Sequence, residues 1–408
     1  MNLKEEYQQA RQWVNDNITK HHYYDEVISV FETNIRVIGG FLTSYELTHD
    51  QLYLDEAELL ANRLLESWTL DIFPNSRLNL NNSLTLEATC FILSEIGTMF
   101  LEFTHLSILT GISTYAQKVE LIRESLQTRL TPYPGLLPTM LSPTYYCCNI
   151  FSIGANGDSY YEYLLKMWIY TGKKNDNYRK MYLDATNSIL NNMYKVSSLG
   201  EAYITNIENG NLTHKMEHLM CFVGGMFALG AQVNITMDQR MNDLHWKAAV
   251  ELTKTCANSY IKTKSGLGPE TFEFTKDGRQ LPTAPNFIQR PETVESIFIL
   301  YRFTGDPMYQ DWGWQIFKAI EQHCRVETGY VGLKDTNNPS KKDDLQQSFF
   351  MAETLKYLYL LFEDSEMIPL DKYVFNTEAH PLPILNDQQV KEYFEMISKN
   401  QTKIIAKS

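Results

Sequence analysis

A set of acidic residues stands among aromatic and aliphatic neighbours instead of on polar faces. Glu32 sits in VISVFETNIRVIGGFL, Glu102 in FLEFTH, Glu270 in GLGPETFEF, Glu292 and Glu295 in QRPETVES, and Glu353 in SFFMAETLKYL; Asp158 closes the Gly-rich turn SIGANGD and opens SYYEYLLK. A carboxylate removed from water needs a partner or a task. For Glu32, in a stretch apolar nearly all round, the expectation is burial. There it is either an ion pair with Arg36 at i+4, or a carboxyl of shifted pKa facing a cavity, with Gly39 and Gly40 allowing close packing nearby. Asp158 is spaced as a helix N-cap, a place from which it also faces a central cavity. Pro291 begins a helix on which Glu292 and Glu295 share a face at i and i+3, with Arg290 before them; the preference of helix starts for acids accounts for these two taken alone. Taken together the set resists a structural assignment. Acids beside rings are what a carbohydrate site needs, because carboxylates accept hydrogen bonds from sugar hydroxyls and rings stack on sugar faces.

No competing chemistry is visible in the form of a GxSxG elbow, a Walker loop, a strand followed by GxGxxG, or HExxH. His218, in HKMEHLMCFVGG, lies on an apolar helix, where a satisfied core histidine is commoner than a ligand or base. The string TEAHP at 377–381 reads as an extended, Pro-bounded loop. Six cysteines show no CxxC pair, which argues against a zinc or redox motif, and a chain of this size does not need a disulfide framework to build a core.

Helical periodicity dominates the elements that must position these groups, over 7–14, 27–45, 53–68, 86–109, 160–170, 245–261, 294–303, 312–320 and 349–362, and period-two alternation is rare. One joint recurs between helices: an aromatic or Leu, then Thr, a short polar or Gly turn, and a Tyr opening the next helix. Its threonines are Thr48, Thr110, Thr171 and Thr304, with a degenerate copy expected near 236 in NITMDQRMNDLHW. Repeats of roughly sixty residues, two helices each, mean antiparallel hairpins side by side, in an open solenoid or a closed barrel. Apolar-acidic loops such as GLGPETFEF favour the barrel, where loops from one end line a pocket.

The composition bounds the partners. With 44% hydrophobic and 21% charged residues the chain is globular, and with a net charge of -13 and no long basic run, nucleic acid is excluded as a partner. The longest mostly apolar stretch, 218–231, is too short for a transmembrane segment, and the N-terminus lacks the pattern of a secretory signal. Asn-x-Ser/Thr acceptors at Asn17, Asn81, Asn211, Asn234 and Asn400 are compatible with a secretory protein.

In order and spacing, FETNIR, GDSYYEYLLK, HLMCFVGGMFALGA, GPETFEF, RPETVES, SFFMAETLKYLYLLF and VFNTEAHPLPIL resemble the motif series of the class I alpha-1,2-mannosidases, family 47 of the glycoside hydrolases. The resemblance covers about residues 4–385. It implies an all-α fold, an (alpha/alpha)7 barrel over 1–385 with 386–408 a polar C-terminal tail. It also implies inverting removal of alpha-1,2-linked mannose from high-mannose N-glycans of glycoproteins, with a Ca2+ ion at the pocket base. Carried over by motif, Glu32 is the general acid, Glu292 the general base, Asp158 a third catalytic carboxylate and Glu270 a further active-site acid. Thr377 is the Ca2+ ligand. Arg36, Glu102, His218, Arg290, Glu295, Phe349, Glu353 and Glu378 line the sugar site, and Cys221 pairs with Cys256 in a disulfide, which implies an oxidising compartment of the secretory pathway, Golgi or endoplasmic reticulum. HCRVETGYVGLKD and Asn156, where the endoplasmic-reticulum type carries Arg, resemble the Golgi type.

Two family segments at the front, Trp-Gly-x-Asp-Glu and Asp-Ser-Leu-Asp-Thr-Leu, have no match, so about one hairpin is expected to be missing, exposing part of the pocket wall. The rival reading is a non-catalytic, lectin-like quality-control protein on the same scaffold. Presence of every catalytic acid and of Thr377 favours the hydrolase, since a binder has little use for both acid and base.

Overall fold

The structure, a computed structural model, describes residues 3–18, 25–69, 72–86 and 88–405. In chain order its longer α-helices are α1 (Lys4–Trp13), α2 (Gly39–Thr48), α3 (Gln51–Leu65), α4 (Phe100–Thr110), α5 (Thr114–Gln127), α6 (Asp158–Tyr170), α7 (Asp176–Ser188), α8 (Phe222–Gln232), α9 (Gln239–Ile261), α10 (Glu292–Thr304), α11 (Pro307–His323), α12 (Lys356–Phe362) and α13 (Asp387–Ile405).

The recurring Thr joint is what folds them into hairpins. Thr48, Thr110, Thr171 and Thr304 each donate a hydroxyl hydrogen bond to the carbonyl four residues back, at 2.6, 2.8, 2.7 and 2.8 Å, which satisfies a helix-end acceptor. The next residue in each case, His49, Gly111, Gly172 or Gly305, is left-handed and stops the helix. Tyr53, Tyr115, Tyr178 and Tyr309 then bury themselves at the start of the returning helix. The degenerate joint also exists: α8 ends at Gln232, and Asp238 caps α9 by accepting from the amides of Arg240 and Met241.

The two members of each hairpin differ in burial. Residues Ser159–Tyr170 of α6, Phe222–Gly230 of α8 and Thr293–Leu300 of α10 are buried on every side, as helices inside a ring must be. Outer helix α9 buries only a stripe that includes His245, Ala249, Leu252, Cys256 and Tyr260. The result is the expected α/α barrel, with the N-termini of α6 and α10 at one end.

Short antiparallel strands brace the loops around the barrel. They include β1 (Val27–Ser29) with β2 (Arg77–Asn79), β3 (Ile150–Phe151) with β4 (Ile207–Glu208), β5 (Lys215–Glu217), β6 (Thr271–Phe274) and β7 (Gln280–Ala284) in one sheet, and β8 (Tyr373–Phe375) with β9 (Pro381–Pro383). The β8–β9 turn enters the ring, where Asn376 donates to the Ile35 carbonyl at 2.9 Å and to Glu102 at 2.8 Å.

Three expectations are corrected. The helix expected over 27–45 starts as strand β1, hydrogen-bonded to β2, and passes through a π-helical stretch, Thr33–Ile38, before α2. The helix expected over 86–109 is extended at Phe91–Ile92, which pair with Met140–Leu141, then forms the short helix Leu93–Gly97 and breaks before α4. Residues 386–408 are not simply a polar tail: α13 occupies Asp387–Ile405 and docks through Val390 and Tyr393, with the Tyr393 hydroxyl accepting from Asn175 at 3.0 Å. Apolar residues at 390, 393, 394 and 397 give that helix an inward face.

The Cys221–Cys256 disulfide joins the start of α8 to α9, and closing a loop of that size contributes about 4 kcal/mol. A second bridge, Cys90–Cys147, carries no spacing signal in the sequence. Among the described residues no helix is long and apolar enough to cross a membrane.

Candidate active site

A cavity of about 290 Å³ opens at the N-terminal ends of α6 and α10. Its lining includes Glu32, Arg36, Glu95, Asn156, Asp158, Leu219, Arg290, Glu292, Phe349, Glu353, Thr377 and Glu378. Six acids therefore face two arginines, a surface suited to hydroxyl-rich or cationic ligands.

On the α10 side Pro291 precedes the helix and Glu292 is its first residue. Glu292 contacts His218 Nδ1 at 2.8 Å, and His218 Nε2 lies 2.7 Å from the Tyr260 hydroxyl and 3.1 Å from Thr293 Oγ1. A carboxylate only accepts, so Nδ1 carries the proton in this chain, while Nε2 meets two hydroxyls that can either donate or accept. Burial pushes the Glu292 carboxyl up, but the His218 hydrogen bond and the Arg290 charge outweigh it, and its pKa lies below the usual range. Arg290 in turn donates from Nε to Glu270 at 2.7 Å; burial nevertheless leaves the Glu270 carboxyl raised.

Asp158 is the first residue of α6, not its cap: that position falls on Gly157, and the Asp158 carboxylate accepts from the Ser159 amide at 2.8 Å. A Cβ at Gly157 would lie 2.2 Å from the Ser152 carbonyl oxygen, so the turn that delivers Asp158 needs glycine there. Burial, reinforced by Glu162, Glu292 and Glu217, raises the Asp158 pKa to about 7.

The opposite wall is looser. Glu32 was expected to be buried, yet its side chain is 46% exposed. The π-helical turn sends Asn34, Ile35 and Ile38 inward and leaves Glu32 at the opening. Arg36 donates to Glu32 at 2.6 Å, to Ser348 at 2.9 Å and to Glu378 at 3.0 Å. Phe349 spans the two walls, its ring center 5.6 Å from the Arg36 guanidinium and 5.9 Å from that of Arg290. At the floor burial, together with neighbouring acids, raises Glu378 to about 7 and pushes Glu353 well above the carboxylate range.

Of the expected site residues, Glu32, Arg36, Asp158, Arg290, Glu292, Phe349, Glu353, Thr377 and Glu378 border the cavity. Glu102, His218, Glu270 and Glu295 stand behind its wall. Glu102 is fully buried and accepts from Tyr163 at 2.6 Å, Asn376 at 2.8 Å and Asn34 at 3.1 Å. It ties α4, α6, the β8–β9 turn and the π turn together. Glu95 lines the cavity and was missed, although FILSEIG carries the same signal of an acid among apolar residues. Burial raises its pKa, with Glu32 adding to the effect and Arg77 opposing it.

Among the described residues no group of three or more His, Cys, Asp or Glu side chains is arranged around a metal position. Thr377 offers hard oxygens in a lining that also holds Glu353 and Glu378, hydrogen-bonded to each other, whose negative charge a cation would offset, so the donor set fits an ion such as Ca2+ held largely through water. The cavity as a whole pairs an acid kept ionised, Glu292, with an acid near neutral pKa, Asp158, and an acid open to ligand, Glu32. That is the equipment of general acid-base chemistry on a neutral polyol.

The sequence model of glycosyl hydrolase family 47 matches residues 1–384. A mannosyl-oligosaccharide alpha-1,2-mannosidase IA of Drosophila melanogaster is 43% identical over 396 residues, 94% of this chain and 59% of that protein. A mannosyl-oligosaccharide 1,2-alpha-mannosidase IB of Homo sapiens is 43% identical over 400 residues, 95% of this chain and 61% of that protein. Among solved structures an alpha-1,2-mannosidase from Trichoderma reesei superposes with a TM-score of 0.85 at 30% identity, covering 92% of this chain and 86% of that one. A D-mannose isomerase, at TM-score 0.60 and 16% identity over 83% of this chain and 88% of its own, shares the fold. The chain spans about three fifths of the length of the curated relatives it matches.

Proposed function

The chain belongs to glycosyl hydrolase family 47, and from that premise we propose that it hydrolyses terminal alpha-1,2-linked mannose from high-mannose N-glycans with inversion at the anomeric carbon. The observation that carries this reading is the Glu292–His218 contact, which holds one cavity carboxyl ionised despite burial. Glu292 takes a proton from water as that water attacks the anomeric carbon; Glu32 delivers a proton to the departing sugar oxygen. An inverting site keeps the two carboxyl groups roughly 6.5–9.5 Å apart to make room for the water. Asp158, with a pKa near 7, is suited to hold the proton that the acid side needs. Arg36 orients Glu32, and Phe349 offers a ring face to the sugar.

Thr377 would hold Ca2+ through its carbonyl and hydroxyl oxygens, and the ion would supply ligation of sugar hydroxyls. We place the protein in the secretory pathway, closer to the Golgi type, on its disulfides and on HCRVETGYVGLKD and Asn156.

The test is release of free mannose from a high-mannose N-glycan by the purified chain, with and without a calcium chelator. Chelator-sensitive release is expected. Glycan binding with no release would replace the hydrolase by the lectin-like reading.

A further inference from the structure

One turn below the two catalytic carboxylates on the barrel's inner helices lies a second charge cluster that the proposed reaction does not use. Glu162 follows Asp158 by four residues on α6, and Glu295 follows Glu292 by three on α10, so each stands directly under the acid that opens its helix. Lys166, also on α6, lies between them: its ammonium donates to Glu162 and stands 3.7 Å from Glu295. All three side chains are at least nine-tenths buried.

The surroundings make this a closed electrostatic unit. From α8, which lies between α6 and α10, come only apolar groups, Phe222, Met226 and Leu229, around a void of about 10 Å³, at the lower limit for one water. The other polar neighbours are Tyr357 of α12, hydrogen-bonded to Glu295, and Tyr163 of α6, on which Glu162 acts, and the remaining charges that act on the cluster are Asp158, Glu292 and Glu353. Burial pushes the lysine toward its neutral form, yet Glu162 and Glu295 overcome this and hold its pKa raised, so the ammonium stays charged in the barrel interior.

A buried ion cluster does not pay for itself in stability, since apolar replacements of like volume are often neutral or better. What Lys166 does accomplish is geometric. It couples the N-terminal halves of the two helices that carry Asp158 and Glu292, and it sets a buried positive charge against the two acids that stand beneath them. We infer that Lys166 is a positioning residue: clamped between Glu162 and Glu295, it sets the spacing of Asp158 and Glu292 and offsets the negative charge that stands beneath them. This rests on the hydrolase reading, and the test separates the two.

The variants are Lys166→Met, Lys166→Arg and the double variant Glu162→Gln/Lys166→Met, which removes one charge of each sign. For Lys166→Met we expect kcat to fall about 100-fold, the effect of misplacing reacting groups by about 1 Å, with KM nearly unchanged. The acid limb of the pH profile of kcat/KM should move up by on the order of one pH unit, because Glu295, which acts on Glu292, loses the cation that offsets it. Lys166→Arg should restore most of the rate. The double variant should regain melting temperature and not regain kcat. Recovery of kcat in the double variant, or superimposable pH profiles, would reduce Lys166 to packing.

Independently of turnover, infrared titration of the protonated-carboxyl band, assigned by its loss in Glu292→Gln, should show that carboxyl shifted up in Lys166→Met. A shift in a protein that releases no mannose would overturn the hydrolase and keep the positioning role. Mannose release with no shift in Lys166→Met would do the reverse.

Discussion

The two walls of the cavity solve different problems. On the α6–α10 wall every functional acid has fixed neighbours: Glu292 is held by His218, His218 by Tyr260 and Thr293, and Asp158 by the Ser159 amide. Charge states there are settled by burial and by partners on inner helices that are themselves packed on all sides. On the other wall Glu32 is half exposed, and its partner Arg36 divides its hydrogen bonds between Ser348 and Glu378, contributed by chain segments remote in sequence. The first wall sets protonation before a ligand arrives, while the second leaves an acid reachable from outside. The difference locates preorganisation on the helices and access on the irregular backbone.

The comparison is sharpened most by removing the ionised acid. Glu292→Gln should lower kcat about 10³-fold, within the range for a lost general base, with a melting temperature near that of the native protein. A loss below tenfold would show that the closed wall does not carry the base.

Next in size, His218→Asn removes the donor that offsets burial. The Glu292 pKa should rise, and kcat/KM should fall about 30-fold at pH 5.5 and less at pH 8, since a base with a raised pKa recovers as pH increases. In the native protein the lowered Glu292 pKa contributes stability above the unfolded carboxyl value and loses it as pH falls through the folded value. The variant's melting curve should therefore depend less on acid.

On the open wall Arg36→Ala should cost about tenfold in kcat/KM, the loss of a charged hydrogen bond, without moving the acid limb that His218→Asn moves. If both variants shift the pH profile alike, the walls are not distinct.

The smallest effect lies outside both. His245, buried between α9 and its neighbours beside Phe227 and Tyr182, has its pKa lowered to about 4 by burial. Its unfolded form binds a proton near pH 6.5 while the folded form resists until about pH 4, so the native state weakens as pH falls through that window. His245→Phe should flatten melting temperature between pH 6.5 and 4.5 and leave the pH profile of turnover alone.

Much of the barrel was legible because its joints repeat. Thr48, Thr110, Thr171 and Thr304 do one local job at four places, and a local job leaves a local pattern. The acids were legible for a related reason: Glu102 and Glu353 interrupt apolar runs whose burial the periodicity already demands, and Asp158 and Glu292 open helices that are apolar beyond them. What escaped depends on contacts distant in sequence or on unusual backbone. The exposure of Glu32 follows from a π-helical turn, which apolar spacing does not announce. Asn376, Asn34 and Tyr163 are ordinary residues until the β8–β9 turn brings them onto Glu102. The Cys90–Cys147 bridge and the clamp of Lys166 on Glu295 likewise join elements by packing alone. Helix α13 hides in a polar segment because only one narrow stripe of it is apolar.

The central claim is that an ionised Glu292 activates water on the face of the sugar opposite the departing group. The most direct measurement is proton NMR of the mannose released within the first turnovers from an alpha-1,2-linked mannoside, before mutarotation mixes the anomers. The account predicts beta-mannose first. Alpha-mannose first would mean a retaining reaction and would contradict the role given to Glu292.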